Sequence, residues 1–211
     1  MPLVGKDRQF SIHNSQFSIK TAVFEDYDIV LGSHSPRRQQ LLSDLGIKFR
    51  VEVIEGIAED YPADMPADDV AQFLAIQKAK PYRLSGNEML ITADTIVWLD
   101  GKVLGKPKDE EDACRMLRIL SGKTHQVYTG VCLTGLDKQI SFVDKTDVSF
   151  RKLAEEEIQY YVGKYKPLDK AGAYGIQEWI GMTACTGING SYFNVMGLPV
   201  HRVTEEMRKF G

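Results

Sequence analysis

One segment constrains this chain more than any other: "MLITADTIVWLDGKVLGKP", Met89 to Pro107. From Met89 to Leu99 it is apolar and rich in β-branched and aromatic residues, which predicts a strand. Asp100-Gly101 is a strong hairpin signal that turns the chain back into "KVL". Asp94 lies inside the apolar run. A carboxylate there is costly unless it is paired, metal-bound or facing a cleft. The alternative is a structural aspartate hydrogen-bonded to backbone.

A second segment, "YDIVLGSHSPRRQQLLSDLG" (Tyr27–Gly46), reads as a buried strand running into an amphipathic helix. Ser35 is a natural N-cap, Pro36 suits the first helical position, and Gly46 supplies the stop. Leu41, Leu42 and Leu45 form the apolar stripe, and Arg38 heads it by three, four and seven positions. Its side chain should project past the strand end into whatever cleft lies there. Arg37 sits about 100° round the helix and reaches the same place from the flank. Cations in a first turn oppose the macrodipole, so two arginines there point to an anion. The hydroxyls of Ser33 and Ser35, the helix N–H groups and two guanidiniums suit a phosphate. A surface arginine pair beside an ordinary Ser-Pro cap is the competing reading.

The remaining pattern predicts strands near Ile47–Ile54, Thr124–Leu136 and Gln139–Phe150. Helices are expected from about Pro66, from the cap Asp109 to Gly122, from Glu155–Glu157, and near Pro199–Lys209. On the helix after Pro66, Val70, Phe73, Leu74 and Gln77 fall on one face. "KPLDKAGAYGIQEW" has little periodicity, and Asn189-Gly190 is another hairpin signal. Early alternation of strands and helices, followed by long β ribbons, implies an α/β fold with a mixed sheet.

A chain of 211 residues with 43% apolar and 26% charged residues is expected to form one soluble domain. The net charge of −3 offers no general attraction to nucleic acid or anionic membrane, so an anion site must be local. Cys114, Cys132 and Cys185 are odd in number and lack metal-like spacing, which argues for a reducing compartment; the expected location is cytoplasmic. No apolar run approaches membrane-spanning length. Residues 1–23, in which "QFSI" occurs twice, are expected to form a flexible or loosely docked extension, leaving 24–211 as the domain.

Several other residues are candidates for chemistry, each with a bland alternative. Lys78 follows Leu74 by four, on the buried side of its helix, where snorkelling is the ordinary behaviour of lysine. Lys106, between Gly105 and Pro107, is extended and reads equally as an exposed loop lysine. Glu59 and Asp60 suit a hard divalent cation or are simply a solvated acidic loop. His13, His34, His125 and His201 show no ligand spacing. Walker, G-x-S-x-G and G-x-G-x-x-G signatures are absent.

Taken in order, "SHSPRRQQLL", "ADTIVWLDGKVLGKP", "MLRILSGKTHQVYTGV", "PLDKAGAYGIQ" and "GSYFNVMGLP" resemble the Maf family of nucleotide pyrophosphatases, from about Ile29 to Pro199. The resemblance implies an elongated mixed β-sheet flanked by helices, two lobes with a central cleft, and often a homodimer. It implies hydrolysis of nucleoside triphosphates to the monophosphate and pyrophosphate with a divalent cation, Mg²⁺ or Mn²⁺. Asp94 matches the family's proposed proton acceptor and Glu59, with a one-residue shift, one of its acidic positions; Glu59 and Asp94 are the expected metal ligands. Ser33, Ser35, Arg37, Arg38, Lys78 and Lys106 match its phosphate-binding positions. Arg37, Thr95 and Gln177 resemble the subgroup acting on dTTP and UTP, with Gln177 reading the base; the subgroup acting on 7-methyl-GTP differs there. CTP and modified pyrimidine nucleotides are further expected substrates. Two residues depart from the pattern: Glu178 stands for the usual glycine and is expected to narrow the base pocket or add an acceptor, and Gly32 stands for the usual alanine. The rival classes are a nucleotide-sensing regulatory protein linked to cell division and a nucleic-acid-binding protein, the latter opposed by the acidic charge.

Overall fold

The sheet is organised around the long strand that the sequence marks first. A computed structural model describes residues 26–210, so the expected extension over 1–23 lies outside the described residues. In chain order the elements are β1 (Asp28–Leu31), α1 (Pro36–Asp44), β2 (Phe49–Val51), α2 (Ala67–Ala79), β3 (Glu88–Leu99) and β4 (Lys102–Leu104). Next come α3 (Glu110–Leu120), β5 (Thr124–Thr134), β6 (Gln139–Phe150), α4 (Glu155–Tyr165) and a 3₁₀ turn (Ala171–Ala173). α5 (Trp179–Ala184), β7 (Cys185–Asn189), α6 (Tyr192–Met196) and α7 (Val200–Met207) complete the described chain. The strands form one mixed sheet in the order β2-β1-β3-β5-β6-β7, with β4 paired to β3. β1 is parallel to β2 and β3, and the remaining pairs are antiparallel.

Side-chain alternation assigns the helices to faces. Leu41 and Leu42 of α1 share a core with Ile29, Leu31, Met89, Ile91 and residues of α7. The intervening residues Val30 and Leu90 pack instead on Ala75 and Ala79 of α2. Farther along β3, Val97 and Leu99 join a separate core built with α3, α4 and α5. The two lobes thus share β3 and β5 as a common spine.

Along one edge, β3 is paired to β5 from Leu90 to Trp98. Along the other, it is paired to β1 only up to Ile91 and to β4 only from Val97. Between those rungs, Thr92 to Ile96 face a break in the sheet. The strand order also reverses at β1, so the break lies outside the carboxyl end of that strand, the usual ligand position in open α/β sheets.

Three expectations are corrected. The second strand is shorter than Ile47–Ile54, being Phe49–Val51, and its residues are half-buried or exposed. The buried face of α2 extends beyond Val70 and Leu74 to Ala71, Ala75 and Ala79, with Phe73 and Gln77 half-buried at its edge, because small side chains let the helix lie close to the sheet. Asn189-Gly190 makes no hairpin: the chain leaves β7 there and enters α6, capped by Ser191, whose hydroxyl accepts from the Asn194 N–H. Other signals match their elements. Asp100-Gly101 joins β3 to β4, and the Asp109 carboxylate caps α3 by accepting from the Asp112 N–H at 2.8 Å. No helix among the described residues is long and apolar enough to cross a membrane.

Candidate active site

The break in the sheet opens into a cleft of about 580 Å³, within the size range of small-molecule sites. The ten candidates matched through the family resemblance line it: Ser33, Ser35, Arg37, Arg38, Glu59, Lys78, Asp94, Thr95, Lys106 and Gln177. Asp60 is exposed and is not among its lining residues.

Asp94 and Thr95 are consecutive on β3 and therefore point to opposite faces. Asp94 faces α2, where its Oδ1 accepts from Lys78 Nζ at 2.5 Å. The same ammonium lies 2.8 Å from Glu59 Oε1, so one lysine bridges two carboxylates. Lys78 and Asp94 are only 18% and 14% exposed, and a broken pair at such depth is costly. The snorkelling reading of Lys78 is thereby replaced by an ion pair. Asp94 Oδ2 accepts no hydrogen bond from protein among the described residues. Burial pushes the Glu59 carboxyl up, but Lys78, Lys106 and Arg38 outweigh it and hold it below the usual carboxylate range.

Thr95 faces α1 and accepts from Arg38 Nη2 at 3.1 Å. Arg38 also donates through Nη1 to Ser33 Oγ at 3.2 Å and through Nε to the Gly197 carbonyl at 2.8 Å. Three acceptors from three distant segments therefore fix one guanidinium. Burial pulls it below its ordinary value, with Asp94 and Glu59 opposing that and Arg37 adding to it. Thr95 is held in turn by Thr129 Oγ1 at 2.9 Å, which donates to the Asn194 carbonyl at 3.0 Å. Because the sheet is open from Thr92 to Ile96, groups on its two faces share one cavity.

Ser35 occupies the N-cap position of α1 but makes no side-chain cap bond; its N–H donates to Ser33 Oγ at 3.2 Å. Its hydroxyl thus remains at the cleft wall. Arg37 pairs with Asp169 Oδ2 at 3.1 Å. Gln177 also lines the cleft, and its Oε1 is buried with no hydrogen-bond donor among the described residues. His125, under the cleft residue Tyr174 with Nε2 2.7 Å from the phenol oxygen, is pushed down to about 4 by burial and stays neutral near pH 7.

The second departure from the family pattern has a steric cause. A Cβ on Gly32 would meet Thr92 Cγ2 at 2.9 Å and the Tyr82 hydroxyl at 3.0 Å. That hydroxyl donates to the Glu52 carbonyl at 2.7 Å and accepts from the Ile54 N–H at 3.3 Å, clasping the start of the loop that carries Glu59. Thr92 cannot yield freely, since its own hydroxyl donates to the Ala75 carbonyl at 2.7 Å. Gly32→Ala is expected to cost about 1–2 kcal/mol of stability in urea unfolding, within the usual range for overpacking. Adding Tyr82→Phe should make the double variant less destabilised than the sum of the singles. Additive losses would detach Gly32 from the clasp.

The paired carboxylates suit a hard cation. Mg²⁺ is commonly bound by one or two carboxylates together with substrate phosphates, and Glu59 and Asp94 already converge on a cationic group. Asp169, Lys170 and Tyr161, which with Glu178 tie the rim of the cleft together, are not marked by the sequence. They lie in or opposite a stretch without periodicity, and residue type alone marks none of them.

A family model described as Maf-like protein matches residues 28–210. A dTTP/UTP pyrophosphatase of Phocaeicola vulgatus is 57% identical over 187 residues, covering 88% of this chain and 97% of that protein. Proteins of the same name from Bacteroides thetaiotaomicron and Porphyromonas gingivalis are each 52% identical, over 88% of this chain and 97% and 95% of their own lengths. With the match extending from the first strand to the last described residue, the chain belongs to the Maf-like protein family.

Proposed function

We propose that this chain hydrolyses dTTP and UTP between the α- and β-phosphates, releasing the nucleoside monophosphate and pyrophosphate. The observation that carries the reading is that the Asp94 carboxylate and the Arg38 guanidinium line one cleft from opposite faces of the sheet. The names of the similar proteins support the pyrimidine substrates.

In this reading Arg37, Arg38 and Lys106 meet the triphosphate, with the Ser33 and Ser35 hydroxyls and the α1 N-terminus adding neutral donors. Phosphoryl transfer of this kind depends mainly on positioning and charge stabilisation. Lys78 fixes Asp94 through Oδ1, leaving Oδ2 to take the proton of the attacking water. Pyrophosphate leaves in line, its developing charge met by the arginines. Glu59 and Asp94 would hold Mg²⁺ or Mn²⁺ with substrate oxygens; when bound, the ion supplies charge neutralisation and acidifies water. Gln177 offers a donor and an acceptor to the edge of uracil or thymine. Such an enzyme removes unwanted pyrimidine triphosphates from the precursor pool.

Incubation of the purified protein with dTTP and Mg²⁺, with products identified by chromatography, should give dTMP and pyrophosphate. Binding of dTTP without turnover would favour a nucleotide sensor instead. Gln177→Glu is expected to lower the ratio of kcat/KM for UTP against GTP by about tenfold, the worth of one good hydrogen bond. An unchanged ratio would remove Gln177 from base reading.

A further inference from the structure

Glu178 does not enter the base pocket, contrary to the expectation from sequence. Gly175 and Gln177 line the cleft, but the Glu178 side chain is directed behind that turn. Its Oε2 accepts from the Tyr161 phenol, and its Oε1 lies 3.3 Å from Lys170 Nζ. The Tyr161 oxygen in turn accepts from the Gly175 N–H at 3.0 Å. The Glu178 N–H closes the turn on the Gly175 carbonyl, also at 3.0 Å.

The network continues to the phosphate end of the cleft. Lys170, with a side chain only 9% exposed, pairs with Asp169 Oδ1 at 2.6 Å, and Asp169 Oδ2 takes Arg37 at 3.1 Å. Charges therefore alternate from Arg37 through Asp169 and Lys170 to Glu178. Without the Glu178 carboxylate, one aspartate would have to serve two cations, one of them a nearly buried ammonium, which is a costly arrangement. The turn that carries Gln177 would also lose the anchor of its Tyr161 bond. Burial, with Glu178 adjacent, pushes the Tyr161 phenol up, so it remains a hydrogen-bond donor to that carboxylate.

We propose that Glu178 is a positioning residue for base selection: clamped between Lys170 and Tyr161, it sets the Gly175–Gln177 turn so that the Gln177 amide meets a pyrimidine. This rests on the base-reading role proposed above. Glu178 touches neither the base nor the phosphates. Its contribution to base selection acts through the turn, while the Lys170–Asp169–Arg37 ladder holds the carboxylate in place from the other side.

The test measures binding of the non-hydrolysable analogues α,β-imido-UTP and α,β-imido-GTP by calorimetry, and UTP turnover, in wild type, Glu178→Gln, Tyr161→Phe and the double variant. Tyr161→Phe keeps every charge and removes only the hydroxyl between Glu178 and Gly175. It therefore serves if Glu178→Gln fails to fold. Each single variant is expected to bind the UTP analogue about tenfold more weakly with little change for the GTP analogue, as for loss of one well-aimed hydrogen bond. UTP turnover should show a raised KM with kcat within about twofold, because the reacting groups are untouched. The double variant should lose no more than either single, since both cut one path. A merely structural role would lower kcat through a smaller folded fraction and leave KM and the analogue preference in place; that outcome overturns the proposal. Wild-type protein that binds both analogues alike overturns the base-reading role and this inference with it. A wild-type preference for the UTP analogue that survives in the variants overturns the inference alone.

Discussion

Asp94→Asn is expected to lower pyrophosphate release from dTTP by at least about a hundredfold, the range for removal of a general base. Asparagine keeps the shape and can still accept from Lys78, but it cannot take a proton at the atom corresponding to Oδ2. It also removes one of two charges that balance a nearly buried ammonium 2.5 Å from Asp94 and 2.8 Å from Glu59. Lys78 retains Glu59, so the variant should fold, and a thermal melt close to wild type would separate lost chemistry from lost structure. Turnover near the wild-type rate in a folded Asp94→Asn protein would remove Asp94 from the reaction. It would also leave the cleft as a binding site only.

A second large effect is expected at a residue with no side chain. Gly130 on β5 is the register partner of Asp94. A Cβ there would stand 2.1 Å from the Ala71 carbonyl oxygen and 2.4 Å from the Gln72 nitrogen, both in the backbone of α2. No rotamer change relieves such a clash, so Gly130→Ala must push the helix off the sheet. The loss should exceed about 3 kcal/mol in urea unfolding, at the upper end of overpacking effects. Any folded fraction should also lose turnover, because Lys78 rides on the displaced helix and can no longer hold Asp94. A change in stability within about 0.5 kcal/mol, as at an ordinary surface site, would refute the claim that this close approach supports the fold.

These two positions show what could and could not be read in advance. The apolar run of β3, its Asp100-Gly101 turn, the Pro36 entry to α1 and the Asp109 cap are local features. Short-range sterics and hydrogen bonding set each of them within a few residues, so their sequence signals match their elements. The same locality misled at Asn189-Gly190, where Gly190 takes a φ of +129° but no partner strand follows. A turn propensity specifies a bend, whereas a hairpin also needs a second strand that packs. Phe73 and Gln77 lie at the edge of the buried face for a related reason. Periodicity identifies a helical face, yet the alanines rather than the larger residues meet the sheet where α2 comes closest over Gly130.

The sequence alone determined the order of strands and helices as far as α4, the arginine pair at the start of α1 and the anomalous carboxylate of β3, because those depend on neighbours along the chain. Only the tertiary structure decided that Asp94 and Thr95, on opposite faces of one strand, serve a common cavity. That follows from the interval between Ile91 and Val97, where β1 has ended and β4 has not begun. The clamp on Glu178 was equally hidden, since a nearly buried lysine between two acids is a property of packed segments. Arg37 and Asp169 stand 132 positions apart and Tyr161 and Glu178 stand 17 apart, and only folding brings these groups together and buries the lysine deeply enough to make its pairing obligatory.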